Sequence, residues 1–243
     1  MQKMAVFVEG QTEQTFVARL VREIAGAHQL QIETQKAVGK RGRRVSYQVY
    51  ATPSFPDVRF YVLIVDSSGD ATVVSDICDQ YESLRSSGFS RIVGLRDVYP
   101  IPRAGVQRLE HGIQNALAFR IPRALLPVQV VLAVMEIEAW FIAEHRHFAK
   151  IAPSITDDRV RRKLGFHPSS AGIDKVEEIK HPSKKLDEIY QLGGRRYRKR
   201  KREARRTVNA LDCDHLYLEV RHRVTRLGAL IHQLNAFLAQ DGD

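Results

Sequence analysis

Acidic side chains follow four apolar stretches of this 243-residue chain, each close to the point where the stretch ends. Two stretches, residues 5–8 (AVFV) and 60–65 (FYVLIV), run directly into a carboxylate. The other two, residues 91–95 and 128–134, reach one a few residues later. Carboxylates gathered together can bind a hard divalent cation or serve as general bases. The candidate side chains are Glu9, Asp66, Asp97, Glu136 and Glu138.

The first of these carboxylates lies in a pattern that predicts a strand, a tight turn and a helix. Glu9 and Gly10 follow the apolar run, and apolar residues then recur with helical spacing from Phe16 to Ile24. Glu13 falls in the first turn of that helix, where the helix dipole favours negative charge. Glu9 is therefore expected at the carboxyl end of a buried strand, where ligands gather in open α/β sheets.

The alternation of strands and helices predicts an α/β fold with a mostly parallel sheet flanked by helices. Because a parallel sheet brings its strand carboxyl ends to one edge, the five carboxylates are expected to converge. Gathered like charges repel one another unless a cation lies among them. Hard oxygen ligands without cysteine favour Mg²⁺ or Mn²⁺ as the cofactor. The alternative is that each carboxylate only caps the helix that follows it.

Composition and charge narrow the class of protein. A hydrophobic fraction of 44% is enough for a packed core, and the net charge of +10 favours a polyanionic partner such as nucleic acid. The two isolated cysteines, Cys78 and Cys213, predict neither a disulfide framework nor a cysteine zinc site. The longest apolar region contains Glu136 and Glu138, so no membrane span is expected. A soluble, cytoplasmic protein is the resulting prediction.

The predicted domains divide the chain near its middle. Residues 1–150 are expected to form the α/β domain, and residues 151–243 a helical, basic subdomain that packs on it. Apolar residues from Val224 to Leu238 are spaced for one face of a final helix. That helix is expected to pack on the sheet or on a second subunit, which would make the protein a homodimer.

A basic run in the second half predicts a nucleic-acid-binding segment. Lys and Arg contacts to phosphates give salt-sensitive affinity that does not depend on sequence, and a tyrosine among them can stack on a base. The alternative is a solvated helix face without a binding role. The candidate binding residues are Arg195, Arg196, Tyr197, Arg198, Lys199, Arg200, Lys201, Arg202, Arg205 and Arg206.

Several other residues suggest chemistry but are interpreted structurally. His145 and His147 lie two apart on a predicted helix, point in different directions and are expected at the surface. The sequence DCDH, residues 212–215, is expected to start the last helical segment, and Trp140 is expected in the core. The basic loop GKRGRR, residues 39–44, lacks the order of a P-loop, so ATP hydrolysis by this chain alone is not expected.

The motif VEGQTEQTF, residues 8–16, resembles the opening motif of Toprim-type domains, and further motifs resemble the OLD- and RloB-like proteins of bacterial defence loci. Members of these families show VEGxTE, an aspartate with aromatic and proline neighbours, a phenylalanine–glutamate or isoleucine–glutamate pair before a helix, and a PSK motif. The matching residues follow in the same order and cover most of the chain: Glu9, Gly10, Glu13, Asp97, Tyr99, Pro100, Glu136, Glu138, Trp140, Pro182, Ser183 and Lys184.

The resemblance implies a Toprim-like fold and a metal-dependent nuclease for DNA or RNA, acting in anti-phage defence beside a separate ATPase. It implies metal ligation by Glu9 and Asp97, with Asp66, Glu136 and Glu138 as further candidates. Glu13 would be a candidate base, and Lys184 would neutralise phosphate charge. Toprim enzymes usually carry Asp-x-Asp, whereas Tyr99 follows Asp97, so Asp66 would have to supply the second aspartate.

Two alternatives stay open from the sequence. A non-catalytic module for nucleic acid or a protein partner would explain the basic run together with the absent second aspartate. A phosphatase or another phosphoryl-transfer enzyme with small substrates would explain the carboxylates, but would leave the basic run without a role. Metal dependence separates the enzymes from the module.

Overall fold

The computed structural model describes residues 1–26, 29–38, 46–50, 58–69, 72–123, 125–168 and 176–239. The predicted basic loop at residues 39–44 lies outside the described residues. The strands are β1 Gln2–Val8, β2 Leu30–Val38, β3 Ser46–Tyr50, β4 Phe60–Asp66, β5 Arg91–Asp97 and β6 Val128–Ala133. The longer helices of the first 130 residues are α1 Gln11–Ala25, α2 Val73–Ser86 and α3 Val106–Arg120.

The rest of the described chain is helical. A π-helical turn, Leu216–Val220, separates α9 from α10, and two short 3-10 turns, Arg103–Gly105 and Val176–Glu178, precede α3 and α7. The helices are α4 Glu138–Ala143, α5 His147–Ile151, α6 Asp157–Leu164, α7 Pro182–Gln191, α8 Lys201–Ala210, α9 Cys213–His215, α10 Arg221–Arg223 and α11 Thr225–Leu238.

The six strands form one sheet in the order β3-β2-β4-β1-β5-β6. β1 pairs in parallel with β4 and β5, and β2 pairs in parallel with β4, whereas β3 is antiparallel to β2 at the edge. The bonds from Ile92 N to Pro127 O and from Val98 N to Ala133 O keep a constant offset, so β6 also runs parallel to β5. The predicted α/β fold with a mostly parallel sheet is confirmed, and it is consistent with a Rossmann- or Toprim-like fold.

Burial explains why the central strands are almost continuously apolar. The side chains of β1 from Met4 to Val8 are fully buried, as expected for a parallel strand covered on both faces. Apolar residues of β1, β4 and β5 pack with α2 in one core that includes Phe7, Val65, Ile77 and Ile92. This core fixes the level at which the strands end, because Val8 of β1 is in register with Asp66 of β4.

The chain divides into two compact units, and the division differs from the predicted boundary at residue 150. The first unit comprises residues 1–96, 107–132 and 232–243, and the second comprises residues 97–106 and 133–231. The second unit begins before residue 150 because α4 packs with α7 and α5 packs with α8.

The last helix follows its predicted pattern. Leu227, Leu230 and Leu234 of α11 are buried, and Phe237 packs edge-on against Phe60 of β4 with ring centroids 5.4 Å apart. The expectation that this helix packs back on the sheet is therefore confirmed. No helix in the described part of the chain is long and apolar enough to cross a membrane.

Candidate carboxylate site

Two of the five predicted carboxylates end neighbouring strands of the first unit. Glu9 follows β1 and Asp66 ends β4, and both residues are buried. Asp66 Oδ1 accepts a hydrogen bond from the backbone N–H of Ser68 at 2.8 Å, and its Oδ2 lies 3.9 Å from Lys36 Nζ. Asp66 therefore stabilises the turn after its strand and does not cap the following helix α2, whose N-cap residue is Thr72. Glu13 is buried in the first turn of α1, where the sequence predicts it.

The other three carboxylates meet around one ammonium group in the second unit. Lys199 Nζ lies 3.0 Å from Glu136 Oε1, 3.1 Å from Glu138 Oε2 and 3.8 Å from Asp97 Oδ2. We call Asp97, Glu136 and Glu138 the carboxylate cluster. Glu138 is fully buried and the other two are nearly so, whereas the Lys199 side chain is 37% exposed. The ammonium of Lys199 thus contacts all three carboxylates and can be reached from solvent.

Backbone groups hold two members of the carboxylate cluster in place. Asp97 Oδ1 accepts a hydrogen bond from the N–H of Ile137 at 2.9 Å. Glu136 accepts two hydrogen bonds from Ser183, one from its N–H at 2.8 Å and one from its hydroxyl at 3.1 Å. Because Ser183 lies in the first turn of α7, its N–H has no partner within the helix and is free to bind a carboxylate.

The backbone on either side of the carboxylate cluster is strained. Met135, directly before Glu136, has φ of 63°, and Lys199 has φ of 52°. A side chain other than glycine in this left-handed region costs roughly 1–3 kcal/mol and persists only where the surroundings enforce it. Such strain is concentrated at functional sites, which supports a role for this cluster beyond packing.

Tyr197 supports the third member of the carboxylate cluster. Its ring is buried, and its hydroxyl donates a hydrogen bond to Glu138 Oε1 at 2.6 Å. The expectation that Tyr197 stacks on a nucleic-acid base is corrected, because a buried ring presents no face to a ligand. Lys199, also expected to bind nucleic acid, instead turns toward the carboxylates. The sequence of the basic run gave no sign of these two contacts, because the inward direction of both side chains depends on the backbone turn at Lys199.

The protonation of the carboxylate cluster is uneven. Burial alone would raise the pKa of Glu136, but the Lys199 charge and the bonds from Ser183 outweigh it and lower the pKa below its ordinary value. Burial raises the pKa of Glu138, and the neighbouring Glu136 adds to the effect. Burial opposes the charge on Lys199, yet the three carboxylates hold its pKa above the ordinary value. One ammonium neutralises only part of the cluster, so the pKa values of Glu136 and Glu138 move in opposite directions.

The donor set can be compared with what a divalent metal requires. Three carboxylates, one from the end of β5 and two from the segment after β6, converge on one ammonium group. Carboxylate oxygens are the ligands that Mg²⁺ and Mn²⁺ prefer. Within the described ranges, however, no group of three or more His, Cys, Asp or Glu side chains is arranged to hold a metal ion. The carboxylates lie at ion-pair distances from Lys199 rather than at the roughly 2 Å of a magnesium–oxygen bond. The ligand type fits a metal, and the lysine holds the position that it would take.

Lys184, expected to neutralise phosphate charge, is exposed on α7. Within the PSK motif it is Ser183 that hydrogen-bonds to the carboxylate cluster. The lysine that contacts the cluster is Lys199, which lies fifteen residues further along the chain. Sequence spacing gave no signal for Lys199, since it is one of many basic residues in its run.

Other members of the basic run line an open depression of about 780 Å³ in the second unit. Arg195, Arg202 and Arg206 contribute to it, together with Lys150, which the sequence did not single out. Arg206 is held in place by a hydrogen bond to the carbonyl of Arg196 and by the ring of Tyr190, 5.8 Å below its guanidinium. We call this surface, with its four cationic side chains, the basic depression.

The remaining basic residues have mixed surroundings. Arg196 lies 3.6 Å from the carboxylate of Asp187, so part of its charge is neutralised within the unit. Five further residues predicted to bind nucleic acid are exposed, and one of them, Arg202, also lines the basic depression. They are Arg198, Arg200, Lys201, Arg202 and Arg205.

A second polar group, buried in the same unit, was not predicted. Glu144 accepts hydrogen bonds from His147 Nδ1 at 3.1 Å and from His215 Nδ1 at 3.0 Å, and all three residues are buried. His147 Nε2 lies 2.9 Å from the hydroxyl of Tyr190, which donates to Thr207. The expectation of a surface position for His147 is therefore wrong, because the side chain faces a buried carboxylate rather than solvent.

Two other expectations for this region are confirmed. Asp212 accepts a hydrogen bond from the N–H of His215 and thus starts α9, as expected for the DCDH sequence. Trp140 is fully buried, in agreement with its expected place in the core.

Comparison with known proteins gives a family for the chain. A family model described as a domain of unknown function, DUF4276, matches residues 8–222. The chain belongs to the DUF4276 family. No curated protein and no solved structure matches it. The DUF4276 match spans the ends of β1, β4, β5 and β6 and the basic run, so the carboxylate cluster and the basic depression both lie within the family's domain.

Proposed function

We propose that this protein hydrolyses phosphodiester bonds in a nucleic acid with the help of a divalent cation bound at the carboxylate cluster. The observation that carries the proposal is the convergence of Asp97, Glu136 and Glu138 on one cation. When bound there, Mg²⁺ or Mn²⁺ would supply an activated water and stabilise charge on the attacked phosphate.

The chain's own groups have defined parts in this proposal. The N–H of Ile137, Ser183 and the Tyr197 hydroxyl each fix one carboxylate, so the ligands do not have to reorganise when a cation binds. The basic depression would bind phosphates of the polynucleotide through its Arg and Lys side chains. Glu9 and Asp66 stay predicted metal ligands, and Glu13 a predicted base. Action in anti-phage defence beside a separate ATPase rests on the resemblance of the sequence motifs alone.

The chemistry is tested by cleavage assays with Mn²⁺ on a plasmid and on a tRNA. Asp97→Asn and Glu136→Gln are each expected to abolish cleavage, whereas Glu82→Gln, at an exposed position of α2, should leave it unchanged. Glu9→Gln tests the predicted ligand of the first unit in the same assay. Cleavage that persists in both Asp97→Asn and Glu136→Gln would refute the proposed site.

The proposed binding of nucleic acid by the basic depression is tested by the salt dependence of the affinity. The double variant Arg195→Ala/Arg202→Ala removes two cationic side chains from the basic depression. Because each lost phosphate contact lowers the salt slope by about 1, the slope should fall by about 2. The matched control is Arg161→Ala/Arg162→Ala on exposed positions of α6. Equal slopes for the two double variants would exclude the basic depression as the binding surface.

A second candidate is the non-catalytic nucleic-acid-binding module. The observation that favours it is the ion pairing of Lys199, because a cluster that already has a cation can be stable without a metal. This candidate predicts nucleic-acid binding that depends on Arg195 and Arg202 and is the same with and without Mn²⁺. Metal-dependent cleavage that is lost in Asp97→Asn would rule it out.

A further inference from the structure

Lys199 holds a position from which one ammonium group contacts all three members of the carboxylate cluster. Its Nζ lies within 4 Å of an oxygen of each carboxylate, so a second cation cannot enter between them while the ammonium remains. A divalent ion and an ammonium at this point would repel each other over a few ångströms. Metal binding at the cluster and the observed position of Lys199 are thus mutually exclusive.

The surroundings of Lys199 allow its ammonium to leave. The side chain is 37% exposed, so it can rotate into solvent without breaking the packed core. Its backbone has φ of 52°, which is unfavourable for lysine and is held in place by contacts made on either side. Tyr197, two residues earlier, stays anchored to Glu138 through its hydroxyl. The segment is therefore fixed at Tyr197, while the lysine side chain can exchange between the cluster and solvent.

From this geometry we propose that Lys199 sets the affinity of the carboxylate cluster for divalent cations, as an internal cation that a metal must displace. The inference rests on the proposed function, since it concerns the same cluster. It adds that the free protein keeps the cluster paired with one ammonium and selects for ions of high charge density, because only these offset the loss of the lysine contacts. Lys199 is a positioning residue here, because it acts through the carboxylates and contacts no reacting atom.

The first test measures Mn²⁺ binding by calorimetry in the wild type, in Lys199→Met and in Lys201→Met. Lys201 is exposed at the first residue of α8, so its variant loses the same charge from the same segment without touching the carboxylate cluster. Lys199→Met is expected to bind Mn²⁺ at least about tenfold more tightly than the wild type, and Lys201→Met as the wild type does. Equal affinities in all three proteins would overturn the inference while leaving the metal site intact.

A second measurement keeps the test valid if Lys199→Met folds poorly. Chemical acetylation of lysines in the wild type, followed by mass spectrometry, should modify Lys199 slowly in the free protein. Mn²⁺ should speed that reaction severalfold and leave Lys201 unchanged. If Mn²⁺ binds but slows or does not alter the modification of Lys199, the lysine is not displaced and the inference is wrong.

The outcomes separate this inference from the proposed function. Binding of Mn²⁺ in Lys199→Met but not in the wild type would support Lys199 as the competing cation and would oppose unassisted metal-dependent cleavage by the wild type. Binding in neither protein would overturn both. Introducing Glu136→Gln into Lys199→Met should remove the gain in affinity, and a gain that persists would place the metal elsewhere.

Discussion

Replacing Glu144 by glutamine tests the buried Glu144–His147–His215 group. The carboxylate is fully buried and accepts one hydrogen bond from each histidine. Glutamine has the same shape, but its amide NH₂ cannot accept, so one of the two histidine N–H groups would face another donor. His147 Nδ1 keeps a second acceptor in the Glu144 carbonyl at 2.6 Å, so the loss is largest when the NH₂ faces His215. Leaving a buried N–H without its charged acceptor costs about 1–3 kcal/mol or more, so we expect this isosteric substitution to destabilise the second unit clearly.

The pKa of Glu144 gives an independent estimate of the same magnitude. Burial would raise this pKa, but hydrogen bonds from the two histidines outweigh burial and lower it from 4.5 to about 2. At about 1.4 kcal/mol for each pH unit, the difference corresponds to roughly 3 kcal/mol of stability. Because the pKa is lower in the folded protein, this stability is present above pH 4.5 and is lost as the pH falls toward 2.

Urea denaturation measures both effects. At pH 7 the free energy of unfolding of Glu144→Gln should lie about 3 kcal/mol below that of the wild type. Between pH 4.5 and 2 the wild type should lose stability more steeply than the variant. The control is Glu188→Gln, whose partly exposed carboxylate pairs with Lys185 at 3.0 Å and should contribute less than about 1 kcal/mol. A Glu144→Gln protein within 1 kcal/mol of the wild type, or with the same acid dependence, would refute the reasoning.

Two further substitutions test the packing around the carboxylate cluster. Tyr197→Phe removes the hydroxyl that donates to Glu138 and should destabilise the fold by about 1.5–3 kcal/mol in urea denaturation, whereas Tyr99→Phe, at an exposed residue, should have little effect. Equal stability of the two variants would contradict the inward role of Tyr197. Gly193→Ala would place a Cβ 2.5 Å from that of Ala152 and should cost about 1–3 kcal/mol, but Gly112→Ala, in open space, should cost nothing. Similar melting temperatures for these two variants would show that the close approach at Gly193 is not limiting.

The fold was predictable because its signals are local. The strands β1, β4 and β5 are short apolar runs bounded by turn residues, and the helices between them repeat apolar residues every three or four positions. The right-handed connection of parallel strands then allows few arrangements, so the type of sheet follows from the order of its elements. The division into compact units did not follow from the sequence, because the packing of α4 with α7 depends on surfaces that are far apart in the sequence.

The candidate site was predictable only in part. The positions of Asp97, Glu136 and Glu138 after β5 and β6 follow from the strand pattern, and the PSK motif drew attention to the start of α7. The partners did not follow from any pattern, because Lys199 and Tyr197 lie in a run where all basic residues look alike. The surface position predicted for His147 was wrong for a similar reason. Helical spacing predicts the direction of a side chain from the helix axis, but it does not predict which other parts of the chain cover that side of the helix.

The sequence by itself determined the sheet, the order of its elements and the acidic residues at the strand ends, because each depends on neighbours within a few residues. Only the tertiary structure decided which cation neutralises the carboxylate cluster, which tyrosine supports Glu138 and which histidines bind Glu144. Apart from Glu144–His147, which are three positions apart, these contacts join residues 59 to 102 positions apart, and their energy depends on burial and on the direction of single side chains. A chain of 243 residues contains many possible acid–base pairs, and folding selects those that leave no buried charge without a partner.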